Sequence, residues 1–150
     1  MKSIAAIILG SVMLFLCTSC ATVPMASEKQ DALAKRFQAA PDKGLIYLIR
    51  PSKAFGMGVS LPTVVDELTI GSLKSGSYAL VEATPGKHDI WVRGSFYNDT
   101  TLKLDIEAGK LYFVRIEIGM GPALPELKIE IVKEDEGRKL VNEYGLIETH

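Results

Sequence analysis

From residue 45 onward, apolar and polar positions alternate in short runs separated by turn residues. The clearest run places Leu102, Leu104 and Ile106 on one face and Thr101, Lys103 and Asp105 on the other. A period of two residues is that of a strand half buried in a sheet. The same period sets Tyr112, Val114, Ile116 and Ile118 inward, and then Leu127, Ile129 and Ile131 inward with Lys128 and Glu130 outward. Residues 45–50 are instead apolar without a break as far as the closing Arg50, which predicts a central strand covered on both faces. Further strands are expected at 59–66, 69–73, 77–83 and 88–93, with Pro62 marking the first of these as an edge or a bulge. Thr84-Pro85-Gly86-Lys87 has the residues of a type II turn, and Glu107-Ala108-Gly109-Lys110 is a second turn. The fold class is therefore mainly β, an antiparallel β-sandwich of about seven or eight strands.

A helix is expected at each end of the strand region. Ser27 with Gln30 three positions on is a capping box, Leu33 and Phe37 share a helical face, and 41–44 ends the segment. This short N-terminal helix is either a spacer or a lid, and Phe37 points to the lid. The C-terminal helix begins near Glu134, carries Leu140, Val141 and Tyr144, and stops at Gly145.

Consecutive antiparallel strands put alternate connections at opposite ends of a sandwich. One end then collects the tight turns near Asp66, Pro85-Gly86 and Gly109. The other collects the longer loops, which carry Phe55, Met57, Phe96, Tyr97 and Met120. Loops on a rigid scaffold commonly bind, so Phe55, Met57, Phe96 and Tyr97 form a candidate contact surface. The alternative is that these side chains tuck under their loops as a satellite core. A chain entering at the start of the first strand would arrive at the tight-turn end, leaving the loop-rich end pointing away from anything held by the N-terminus.

The N-terminus reads differently. Met1-Lys2 is followed by an apolar run over residues 4–16, too short for the roughly 20 residues that cross a bilayer as a helix. Ser19 then supplies a small residue before Cys20, as signal processing requires. Leu16-Cys17-Thr18-Ser19-Cys20 resembles a bacterial lipobox, although Cys17 stands where Leu is usual. That resemblance implies removal of residues 1–19, lipidation of Cys20, and anchoring by several acyl chains, past what one chain sustains. Ala21 in place of an Asp implies the periplasmic face of the outer membrane rather than the inner membrane. The expected organisation is a signal peptide at 1–19, a lipidated tether and short helix at 20–43, and the sandwich with its C-terminal helix at 44–150. With two cysteines in the chain, one removed and one lipidated, the exported domain has no disulfide.

Gly44-Leu45-Ile46-Tyr47-Leu48-Ile49-Arg50-Pro51, Val64-Val65-Asp66 with Ile70-Gly71, Gly76-Ser77-Tyr78, and Thr84-Pro85-Gly86-Lys87-His88 together resemble the bacterial family called domain of unknown function 2846. The resemblance runs roughly from Gly44 to Gly145 and implies a small signal-bearing lipoprotein of no assigned activity. The same rhythm is similar to PEGA-type surface domains, which implies a prealbumin-like sandwich. That pattern has Gly after the Asp; Glu67 stands there instead and leaves the turn after Asp66 open.

Charge and chemistry change this picture little. Without Lys2 the 17 basic residues fall to 16 against 18 acidic, with no basic stripe, so a nucleic-acid partner is unsupported. A metal site needs clustered ligands, and beyond residue 20 the only histidines are His88, expected as a surface strand residue, and His150. No metal or cofactor is implied. Asp66, Glu67, Glu82 and Asp89 could serve a glycosidase only as a facing pair, and nothing marks any two of them out. Gly56-Met57-Gly58 and Gly119-Met120-Gly121 are too short for phosphate-binding loops and do not open helices. The expected function is a membrane-anchored envelope lipoprotein that is not an enzyme: a binding module for an envelope protein or polysaccharide. A structural module pairing through the 59–66 edge is the alternative, and a cell-wall hydrolase a third.

Overall fold

The structure, a computed structural model, describes residues 22–94 and 98–149. The signal segment, Cys20, Phe96, Tyr97 and His150 lie outside the described residues. The chain is mainly β. Helix α1 (Glu28–Ala34) precedes eight strands, β1 (Gly44–Arg50), β2 (Leu61–Val65), β3 (Leu68–Leu73), β4 (Ser77–Ala83), β5 (Gly86–Val92), β6 (Thr100–Ile106), β7 (Leu111–Met120) and β8 (Pro125–Val132). Helix α2 (Glu134–Glu143) and a two-residue strand β9 (Gly145–Leu146) follow.

The strands form two sheets, one in the order β8-β7-β1-β4-β9 and the other β3-β2-β5-β6. Most pairs are antiparallel, as expected. Two are parallel: β1 with β7, in the register Leu45 opposite Leu111, and β4 with β9. The chain leaves the four-stranded sheet after β6 and re-enters the five-stranded one beside β1. Periodicity fixes which face a residue takes, not which strand lies beside it, so this crossover has no local signal.

β2 is an interior strand between β3 and β5, so of the edge or bulge expected at 59–66 the edge is corrected, while the register with β3 shifts between Thr63 and Val64. Its ladder with β5 spans only Thr63, Val64 and Val65, so Pro62 sits just outside it, where its missing N–H costs no bond in that ladder. An assembly module pairing through that segment therefore has no free edge there.

Between the sheets, Ile46 and Leu48 of β1 pack with Val114, Ile116 and Ile118 of β7 against Leu61, Ile70, Ile90, Val92, Leu104 and Ile106. The opposite face of β1, with Leu45, Tyr47 and Ile49, meets Tyr78, Phe113, Phe37 and Val141. Both helices thus cover the outer face of the five-stranded sheet, and all seven residues of β1 are buried. That double covering is the cause of the unbroken apolar run.

The capping box forms: the Gln30 N–H donates to Ser27 Oγ at 3.3 Å, and the Ser27 N–H to Gln30 Oε1 at 3.0 Å. The helix ends sooner than its pattern suggests. Leu33 stays half exposed, while Phe37 adopts a φ of 55° and turns its ring onto Tyr47, centroids 5.3 Å apart. The lid reading of α1 holds, through a residue outside the helix. Ile131 is also corrected: it shares the inward parity of Leu127 and Ile129 but is exposed, because β8 is an edge strand with a neighbour on one side only.

Candidate functional site

The connections sort into two ends, as expected from the order of strands. Tight turns join β2 to β3, β4 to β5 and β6 to β7 at one end. Residues 51–60, 74–76 and 121–124 lie at the other, where β5 also ends and β6 begins.

At the loop-rich end the longest loop is held by a buried cation. Arg50 closes β1, and its guanidinium donates to the carbonyl oxygens of Leu73 at 2.6 Å and Gly56 at 2.8 Å. Gly56, with a φ of 76°, lies close against Ile118; an added methyl group would collide with that side chain. Lys53 and Glu117 pair at 2.7 Å and fix the same loop to β7 from outside. So anchored, the loop presents Phe55 and Met57 to solvent, 47% and 66% exposed. These two do not tuck into a satellite core. Met120 and Leu124, at 67% and 75%, stand on the β7–β8 hairpin at the same end. Sequence reasoning missed Leu124 and the part played by Arg50. A charge closing an otherwise apolar strand was the available signal for the latter.

The N-terminal segment arrives at this end too, which corrects the expectation that it enters at the tight-turn end. Residues 22–26 are no loose tether. Met25 bridges Ile147, the Ala26 N–H donates to the Leu146 carbonyl at 2.9 Å, and the Glu148 N–H donates to that of Pro24 at 3.0 Å. Val23 packs against the main core. Thr22 and Val23 then border a shallow cleft with Met57, Gly58, Ser60 and Lys74, beside the first residue of β2 and the last of β3. Chain order alone leads the N-terminus into β1, but the helix and the docked segment before it carry the chain around the sandwich.

The tight-turn end holds the candidate carboxylates. Val65 pairs with Leu68, so Asp66-Glu67 is a two-residue hairpin turn, with Asp66 itself taking a φ of 55° where glycine is usual. Its Oδ1 accepts the Asp89 N–H at 2.9 Å, and its Oδ2 lies 2.8 Å from His88 Nδ1. These bonds, the Asp89 amide first, hold the Asp66 carboxyl below its ordinary value. Asp89 in turn pairs with Lys103. Asp66 and Asp89 thus secure the turn and the β5–β6 ladder. Among the described residues no three His, Cys, Asp or Glu side chains converge as a metal would require, and no helix is long and apolar enough to cross a membrane.

Against known proteins, residues 40–127 match the model of a family described as a protein of unknown function, DUF2846. An uncharacterized protein of Haemophilus influenzae is 31% identical over 137 residues, covering 90% of this chain and 80% of its own length. The family match spans β1 through the start of β8, the stretch that builds both sheets and most of both ends. On these two matches, the chain belongs to the DUF2846 family.

Proposed function

We propose that this chain is an envelope lipoprotein, lipidated at Cys20 and held at the periplasmic face of the outer membrane. Its sandwich acts there as a non-catalytic contact module, with Phe55 and Met57 in the contact surface and Phe96 and Tyr97 completing it. The observation that carries the reading is the exposure of Phe55 and Met57 on a loop that Arg50 and Lys53 hold in place. Large apolar side chains fixed in solvent are a feature of interaction sites. The apolar run at 4–16 followed by Ser19-Cys20 supports the anchor.

Two measurements test it. The intact mass of membrane-purified protein, compared with Cys20→Ser, should show a triacyl increment on a chain beginning at residue 20, absent from the variant. An uncleaved or unlipidated mass overturns the anchor. Thermal unfolding of the Phe55→Ser, Tyr97→Ser double variant should match the parent within a few degrees. Loss of cooperative unfolding would make these side chains core and end the contact-surface reading.

A further inference from the structure

We infer that the loop-rich end of the sandwich is seated on the lipid surface itself, so that Phe55, Met57, Met120 and Leu124 contact the bilayer and the tight-turn end points away from it. This deepens the contact-surface reading and rests on the lipid anchor at Cys20.

The position of the N-terminus carries the argument. Thr22 and Val23 lie in the cleft with Met57, Ser60 and Lys74 at the loop-rich end. Cys20 precedes Thr22 by two residues, a span of at most about 7 Å. The pairing of Pro24 and Ala26 with Glu148 and Leu146 leaves no slack further along the chain. Acyl chains on Cys20 would therefore enter the bilayer on the side of this cleft, with only Ala21 between the anchor and the docked segment.

The surface presented there suits that neighbour. Four large apolar side chains on two separate loops stand in solvent at one end, and each is about half exposed or more. Apolar groups inserted at the boundary between headgroups and acyl chains add to the hold of a lipid anchor. Lys74 flanks them, where anionic headgroups attract cations, while Lys53 is already paired with Glu117. The opposite end carries charges of both signs, Asp66, Glu67, Asp105 and Glu107 beside Lys43, Lys87 and Lys110. Its exposed Leu68 serves as an internal control.

The test uses the full lipidated protein in vesicles of phosphatidylethanolamine and phosphatidylglycerol, with Trp91→Phe removing the single native tryptophan. Tryptophan is introduced singly by Met57→Trp, Leu124→Trp or Leu68→Trp, all exposed positions that leave the core untouched. Lipids brominated near the headgroup end of the acyl chain should remove most of the emission of the first two and leave the third unchanged. The intact mass is measured on the same samples. A triacylated protein whose residues 57 and 124 are unquenched, or whose residue 68 is quenched, overturns the orientation alone and leaves the loop end free for a protein or glycan. A mass without the acyl increment overturns the anchor, and the orientation with it.

Discussion

His88 stands between two acceptors, its Nδ1 2.8 Å from Asp66 Oδ2 and its Nε2 2.8 Å from the carbonyl oxygen of Thr84. Both contacts are hydrogen bonds only if the ring carries both protons, because neither an ionised carboxylate nor a carbonyl can donate. Burial opposes the charged ring. The bonds to Asp66 and Thr84, with the nearby charges of Asp66 and Asp105, outweigh it and hold His88 above its ordinary value of 6.5. A residue expected to be an ordinary surface strand position is thus the cross-brace joining the β2–β3 turn, the β4–β5 turn and β5.

The brace makes stability depend on pH in a defined direction. A raised folded value means that the contribution of His88 is complete below 6.5, its unfolded value, and fades as pH rises through the folded one. In urea unfolding at a series of pH values, His88→Gln should cost about 1 kcal/mol near pH 6, the half-exposed Asp66 limiting the figure. The cost should shrink toward pH 9. A gap that widens with pH would mean that the ring is neutral in the fold.

Asp31 works with the opposite sign. Its Oδ1 accepts the Tyr78 hydroxyl at 2.8 Å and the Leu146 N–H at 2.9 Å, while its Oδ2 pairs with Lys35, which also donates to the Tyr144 carbonyl. Burial raises the carboxyl, but the bonds from Lys35, Tyr78 and Leu146 prevail and hold it below 3.8. Its contribution is present above 3.8 and disappears as pH falls through the lowered value. Asp31→Ala should cost about 2 kcal/mol, with Asp31→Asn intermediate because it keeps an acceptor. Hydrogen exchange over residues 28–34 should accelerate before that of β1.

Arg50→Met keeps an unbranched apolar stem, stops short of the guanidinium and removes its donors. The carbonyls of Leu73 and Gly56 then lose a charged partner, at a cost of about 2–4 kcal/mol. Exchange of the amides at 52–60 should rise further than that of β4, showing that the loop is released before the sheet.

Gly137 lies on α2 directly over Phe113, where an added Cβ would overlap the Phe113 Cβ and Cγ. Helix propensity alone gives Gly→Ala a gain of roughly 1 kcal/mol. Overpacking a buried contact costs about 1–3 kcal/mol, so Gly137→Ala should lower the urea midpoint. A raised midpoint would mean that α2 is free to shift off the sheet.

What was legible in the sequence follows from which forces are local. β4 and β6 have the bounds that alternation and turn residues predict, and β1 was correctly central because burial on both faces leaves an unbroken apolar run. The parallel pairing of β1 with β7 was not, since a neighbour more than sixty residues away leaves no period in either strand. Phe37 escaped for a related reason. A positive φ at an aromatic residue is unfavourable locally and is held here by Tyr47, Phe113 and the guanidinium of Arg138, 4.3 Å from the ring centre. For the candidate site, Phe55 and Met57 were identified on the correct end, while the place where the N-terminus arrives depends on a bridge between Met25 and Ile147 across nearly the whole chain.

That bridge also sets the path of mechanical load. Tension applied ahead of Pro24 cannot reach β1 without first pulling on Leu146 and Glu148, to which the segment is hydrogen-bonded. Leu146 is itself paired with Tyr78 of β4, and the Ile147 N–H donates to the Tyr78 carbonyl. A tug on one terminus is therefore shared with the other and spread into the side of the five-stranded sheet. In the order of the sheet, β9 and β4 stand between such a pull and the central strands β1 and β7.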